Sequence, residues 1–193
     1  LDNSATTRVW AAAADAAYRL MTEVYGNPSS LHSLGFRAEQ ELTAARRQVA
    51  TLIGAEEGEI TFTSGGTEAD NWAIRGAAYA NVKKGRHIIT TNFEHHAVLH
   101  TCRQLEKEGF EITLLPVDAD GKVSVQDVEK AIRPETVLVS VMAANNEIGT
   151  LQPIKEIGEI AHEHGILFHT DAVQAFGQVP INVDELHIDM LSS

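Results

Sequence analysis

From residue 59 onward, short β-branched and aliphatic runs alternate with runs whose apolar residues recur at helical spacing. Strand-like segments fall at 60–63, 87–91, 111–115, 137–142, 167–170 and 188–191. Helix-like segments at 68–79, 97–108, 125–132 and 154–164 lie between them, with Gly109 and Gly165 as stops. Strands separated by helices of this length predict an α/β fold, a doubly wound and mainly parallel sheet flanked by helices. Ligands of such sheets collect at the carboxyl ends of the strands. Two further helices are predicted ahead of this region. One covers 9–25 and is stopped by Gly26-Asn27-Pro28; the other covers 33–52, with Leu42, Ala45, Val49 and Leu52 on one stripe, and ends at Gly54.

The first alternation carries a distinctive turn, Ser64-Gly65-Gly66-Thr67, followed by Glu68-Ala69-Asp70-Asn71. A glycine-rich turn from strand to helix presents free backbone N–H groups at the positive end of the helix dipole, which suits a phosphate. The glycines let a ligand approach the backbone, and the Ser64 and Thr67 hydroxyls can add donors. The same residues also suit an ordinary helix cap by Ser64 or Thr67 with Glu68 in the first turn, and Ala69, Trp72, Ala73 and Ala77 give the helix an apolar stripe. The turn is neither a Walker loop nor a full dinucleotide fingerprint.

Polar residues also follow the other strands: Glu94-His95-His96, Asn145-Asn146-Glu147, and Asp171-Ala172-Val173-Gln174. Four successive strands thus end in polar groups at the predicted ligand edge. A metal site is weakly indicated by His95, His96 and His100 and by His169 with Asp171, which share a strand face. His162 and His164, near a helix end, suit a solvated, dipole-complementing role. Cys102 reads as a small helical core residue beside Leu99 and Leu105.

Composition narrows the partners. Net charge is −12 with no Lys/Arg-rich run, which argues against nucleic acid or an anionic membrane. No stretch is long and apolar enough to span a membrane, no signal peptide is visible, and the lone cysteine fits a reducing cytoplasm.

Six segments occur in one order: Leu1-Asp2-Asn3-Ser4-Ala5-Thr6-Thr7, Gly26-Asn27-Pro28-Ser29-Ser30, the stretch 64–71, Glu94-His95-His96-Ala97-Val98-Leu99, Asn145-Asn146-Glu147-Ile148-Gly149 and Asp171-Ala172-Val173-Gln174. Together they resemble the amino-terminal half of a cysteine desulfurase of the NifS/IscS-like type, within the class V aminotransferases. The similarity runs across the whole chain.

The resemblance implies a pyridoxal 5'-phosphate (PLP) enzyme of transferase fold type I. Residues 1–14 would lead into the first helix, and residues 15–193 would form an incomplete PLP-binding large domain. Gly66 and Thr67 would hold the phosphate. His95 would stack on the pyridine ring and take part in proton transfer. Asn146 would lie near the ring's phenolic oxygen and the substrate carboxylate, Asp171 would pair with the ring nitrogen, and Gln174 would bond the phenolic oxygen. The implied reaction converts L-cysteine to L-alanine, passing sulfur as an enzyme persulfide to iron–sulfur cluster or thio-cofactor assembly. A cytoplasmic homodimer serving a sulfur acceptor or scaffold protein goes with it.

In that family a Ser-x-His-Lys motif, carrying the Schiff-base lysine, follows the segment that matches Asp189-Met190-Leu191-Ser192, and the nucleophilic cysteine lies further on. None of Lys83, Lys84, Lys107, Lys122, Lys130, Lys155 or Cys102 matches them. Residues 1–193 alone are therefore expected not to turn over. A selenocysteine lyase, another class V aminotransferase, and a non-catalytic fragment or half of a split enzyme are the alternatives.

Overall fold

Five strands pair in parallel in the order β2-β1-β3-β4-β5. They are β1 (His87–Thr91), β2 (Glu111–Leu115), β3 (Thr136–Ser140), β4 (Leu167–Asp171) and β5 (Met190–Ser192). The computed structural model describes residues 6–193, so Leu1 to Ala5 of the first family-like segment lie outside the described residues. Six helices accompany the strands among those residues: α1 (Ala11–Thr22), α2 (Ser33–Ile53), α3 (Gly66–Ala80), α4 (His96–Lys107), α5 (Val125–Ala131) and α6 (Ile154–Glu163). The chain divides at Thr61/Phe62 into two compact units.

In the second unit the sheet is covered on both faces, as its apolar strands require. Alternate residues go to opposite layers. Ile88 and Leu138 pack with Ile74, Ala77, Val98 and Leu105 of α3 and α4. Ile89, Val139 and Phe168 pack with Val128, Ile157 and Ala161 of α5 and α6. Since β1 pairs with β2 on one side and β3 on the other, sheet growth reverses direction between β1 and β3. That reversal is the topological switch point, where such sheets open a crevice for ligands.

The first unit holds α1, α2 and a 3-10 turn, Glu57–Glu59. His32 caps α2 by accepting from Gly35 N–H, and Gly54 closes it in the left-handed conformation at φ 72°. Arg19 of α1 pairs with Glu41 of α2 at 2.9 Å.

Three sequence expectations are corrected. Residues 60–63 form no strand; they follow the 3-10 turn, and the Ile60 carbonyl accepts from Arg46 Nε at 3.2 Å instead of joining a ladder. An extended, β-branched run becomes a strand only where its backbone finds a neighbour to pair with. Consequently, the Ser64–Thr67 turn does not follow a strand, and three strands rather than four lead into the predicted polar segments. The buried face of α2 is Gly35, Ala38, Ala50 and Ile53, not the predicted stripe, and Leu52 is exposed. On α3, Trp72 is exposed while Asp70, Ile74, Ala77 and Ala78 are buried.

Candidate active site

The site lies at the carboxyl ends of β1, β3 and β4. The amino end of α3 starts without a side-chain cap: its N-cap is Gly65 (φ 153°), rather than Ser64 or Thr67. Glu68 reaches back instead, its Oε2 accepting from Ser64 N–H at 2.6 Å, which holds the carboxylate below its usual range. Gly66 and Thr67, the first helical residues, have N–H groups with no partner inside the helix. A Cβ on Gly66 would stand 2.5 Å from Val173 Cγ2, so glycine lets the turn close onto the segment after β4. Asn71 braces the turn, donating to the Thr67 carbonyl and accepting from Thr101 Oγ1 of α4, both at 2.8 Å.

His95 is the N-cap of α4. Its Nδ1 accepts from Ala97 N–H at 3.2 Å, so the neutral ring carries its proton on Nε2. A cleft of about 320 Å³ opens here, lined by Thr67, Asn71, His95, His96, His100 and Thr101 among others.

Asp171 ends β4 and is buried. Its Oδ1 accepts from Val173 N–H at 3.0 Å, which leaves Oδ2 as the freer oxygen. Burial pushes its pKa up, while the Val173 N–H and nearby His95 pull it back. Asp70, His95 and Asp171 each offer one side-chain atom, and these atoms lie within 4.8 Å of one another. A single positive charge could face all three.

Beneath Asp171 a buried chain of hydrogen bonds ties three strands together. His169 Nδ1 meets Ser140 Oγ of β3, and His169 Nε2 meets Ser192 Oγ of β5, both at 2.9 Å. Burial pushes the imidazole down to about 4, so it is neutral. Glu94 is buried beside the site, accepting from Thr91 Oγ1 at 2.8 Å and from Met142 N–H at 3.1 Å. Burial raises it to about 8, so it holds its proton at neutral pH.

Gly66, Thr67, His95 and Asp171 thus lie at one end of the sheet. Asn146 and Gln174 occupy turns after β3 and β4 but lie outside the hydrogen-bonded set around Asp171. The Asn146 amide donates to Glu147 Oε1 at 2.9 Å, and Gln174 is half-buried. Asn145 organises that turn instead, its Oδ1 accepting from Glu147 and Ile148 N–H and its Nδ2 donating to the Phe93 carbonyl. Sequence reasoning gave no role to Asp70, Glu94, Ser140 or Ser192. Asp70 had a signal: it stands at helical spacing with Ile74, Ala77 and Ala78, an acid on the buried stripe.

The family model described as "Aminotransferase class-V" matches residues 1–193. Cysteine desulfurase IscS of Methanosarcina thermophila is 59% identical over 192 residues, covering 100% of this chain and 48% of that protein. Cysteine desulfurase IscS of Clostridium botulinum (strain Hall) is 57% identical with the same coverage. A solved structure, "SspA in complex with cysteine", superposes with a TM-score of 0.95 at 42% identity, over 98% of this chain and 55% of that one. The chain spans about half the length of the curated relatives it matches. With its parallel sheet, its uncapped helix end and a buried aspartate closing β4, the chain belongs to the class V aminotransferase family.

Proposed function

We propose that residues 1–193 are the cofactor-binding part of a PLP-dependent cysteine desulfurase, with residues 15–193 its large domain. The observation that carries this reading is the close seating of Gly66 on Val173. It brings the free N–H groups of α3 to the segment that begins at Asp171, so an anion donor set and a carboxylate stand a short span apart. A ligand with phosphate at one end and a basic ring nitrogen at the other fits that pairing.

In this reading Gly66 and Thr67 N–H, with the Thr67 hydroxyl, bind the phosphate. Asp171 Oδ2 holds the proton on the ring nitrogen. His95, fixed by Ala97 at Nδ1, stacks on the ring and presents Nε2 for proton transfer. Asn146 and Gln174 would serve the phenolic oxygen, and Asn146 also the substrate carboxylate. Bound PLP supplies an electron sink, which a protonated ring nitrogen strengthens. Met142, Ala143 and Ala144, which follow β3, are buried.

The full-length enzyme would act on L-cysteine, release L-alanine and pass sulfur to an acceptor or iron–sulfur scaffold protein, as a cytoplasmic homodimer. Among the described residues no helix is long and apolar enough to cross a membrane. The test is the visible spectrum and alanine yield of the full-length protein with PLP and L-cysteine. A cofactor band that responds to cysteine, with alanine formed, is expected. A protein that takes up no PLP overturns the reading; activity with selenocysteine alone overturns the substrate.

A further inference from the structure

Asp70 is a buried acid that the proposed chemistry leaves unused. It is 1% exposed on α3, and its Oδ1 accepts no hydrogen bond among the described residues. His169 Nε2 lies 3.7 Å away, but that imidazole is already bonded to Ser140 and Ser192 and is neutral, so it supplies no positive charge. The groups facing Asp70 are Asp171 and His169 from β4, Ser192 from β5 and His95 at the N-cap of α4, with Glu94 close by. None is lysine or arginine. Among the described residues, three carboxyl groups therefore share one buried region that no lysine or arginine faces, and an isolated carboxylate there is costly.

We propose that Asp70 is a proton-linked second acidic partner of the ring nitrogen: it holds a proton while no ligand is bound and surrenders it when a cationic ring docks against Asp171. The inference rests on the PLP reading above. A carboxylate oxygen of Asp70 lies within 4.8 Å of the offered atoms of His95 and Asp171, so a charge placed between those two also faces Asp70. Burial, then the Asp171 charge, push Asp70 up to about 7, with the Ser192 hydroxyl pulling it back. An arriving positive charge reverses that balance.

The proton count closes in two ways. If the ring arrives protonated, the Asp70 O–H breaks and its proton leaves to solvent. If the ring arrives neutral, the proton passes to the ring nitrogen, a transfer that an Asp70→Asn site must replace by uptake from solvent. In both cases the wild type releases more protons than Asp70→Asn, by up to one. Below pH 7 the wild-type affinity for PLP therefore rises with pH more steeply than that of the variant, by up to about tenfold per unit.

The experiment is calorimetric titration of the full-length apoprotein with PLP, between pH 5.5 and 8.5, in buffers of different ionisation enthalpy. The expected result is a wild-type minus Asp70→Asn difference that approaches one proton at the acid end and vanishes above pH 8. Equal proton counts across the range overturn the proposal. A second readout needs no variant: the difference infrared spectrum of the wild type on PLP binding should lose a protonated-carboxyl stretch. Its retention overturns the proposal as well. If neither protein binds PLP at any pH, the cofactor reading itself has failed.

Discussion

A methyl group on Gly66 would come within 2.5 Å of Val173 Cγ2, two residues beyond Asp171. Gly66 is the first residue of α3 and its φ is not positive, so alanine suits the backbone there and gains a little helix propensity. The contact outweighs that gain, because valine is stiff at χ1 and overpacking costs about 1–3 kcal/mol. Gly66→Ala is expected to lose stability in urea and to weaken PLP binding about tenfold or more. Val173→Ala in the same chain should restore most of both. Equal loss in the single and double variants would mean that the glycine serves some other need.

Glu94 makes stability fall as the solution becomes alkaline. Its folded pKa, about 8, lies above the ordinary value of 4.5. Between those values the unfolded chain has lost the proton while the folded chain keeps it, so rising pH favours unfolding. At or below pH 4.5 this penalty is absent, and by pH 8 it has grown to a few kcal/mol. Glu94→Gln stays neutral throughout, so its stability curve should be flatter than the wild type's across this window. Chemical denaturation at pH 5 and pH 8 tests it; parallel curves for the two proteins would refute it. His169 contributes with the opposite sign, because the unfolded imidazole takes up a proton below 6.5 while the folded one stays neutral to about 4.

Most of the architecture was legible because apolar periodicity reports burial directly. The strands at 87–91 and 111–115 were placed as found, since their β-branched runs also have neighbours to pair with. The run at 60–63 is similarly β-branched but is not a strand among the described residues, and composition carries no information about pairing. His95 and Asp171 were visible through motifs that sit at strand ends. Asp70 was hidden, because an aspartate on a helix reads as solvated until the stripe it shares with Ile74 and Ala77 is seen to be buried. Glu94 was hidden for a different reason: its partners Thr91 and Met142 converge only when β1 and β3 lie side by side.

Cys102 should not carry sulfur. It is 1% exposed, packed with Val98 and Leu105, and burial with the Glu94 and Glu106 charges pushes its thiol up to about 12. The thiolate is the reactive form, so a thiol reagent should leave Cys102 untouched in the native protein and label it only after unfolding. Cys102→Ala in the full-length protein should retain alanine production with L-cysteine. Loss of that activity without loss of folding would overturn this assignment.

Asn71 couples the turn to the neighbouring helix. Its side chain donates to the Thr67 carbonyl and accepts from Thr101, so one amide fixes both the start of α3 and its spacing to α4. Thr101 is buried, so Asn71→Ala would leave its hydroxyl without that acceptor, at a cost of about 1–3 kcal/mol. PLP affinity should fall too, because Thr67 loses its brace. Adding Thr101→Val removes the stranded hydroxyl and should return much of the stability. It should return none of the affinity, since the Thr67 carbonyl still lacks Asn71. A double variant that recovers both would show that the stranded hydroxyl, not the brace at Thr67, had caused the loss of binding.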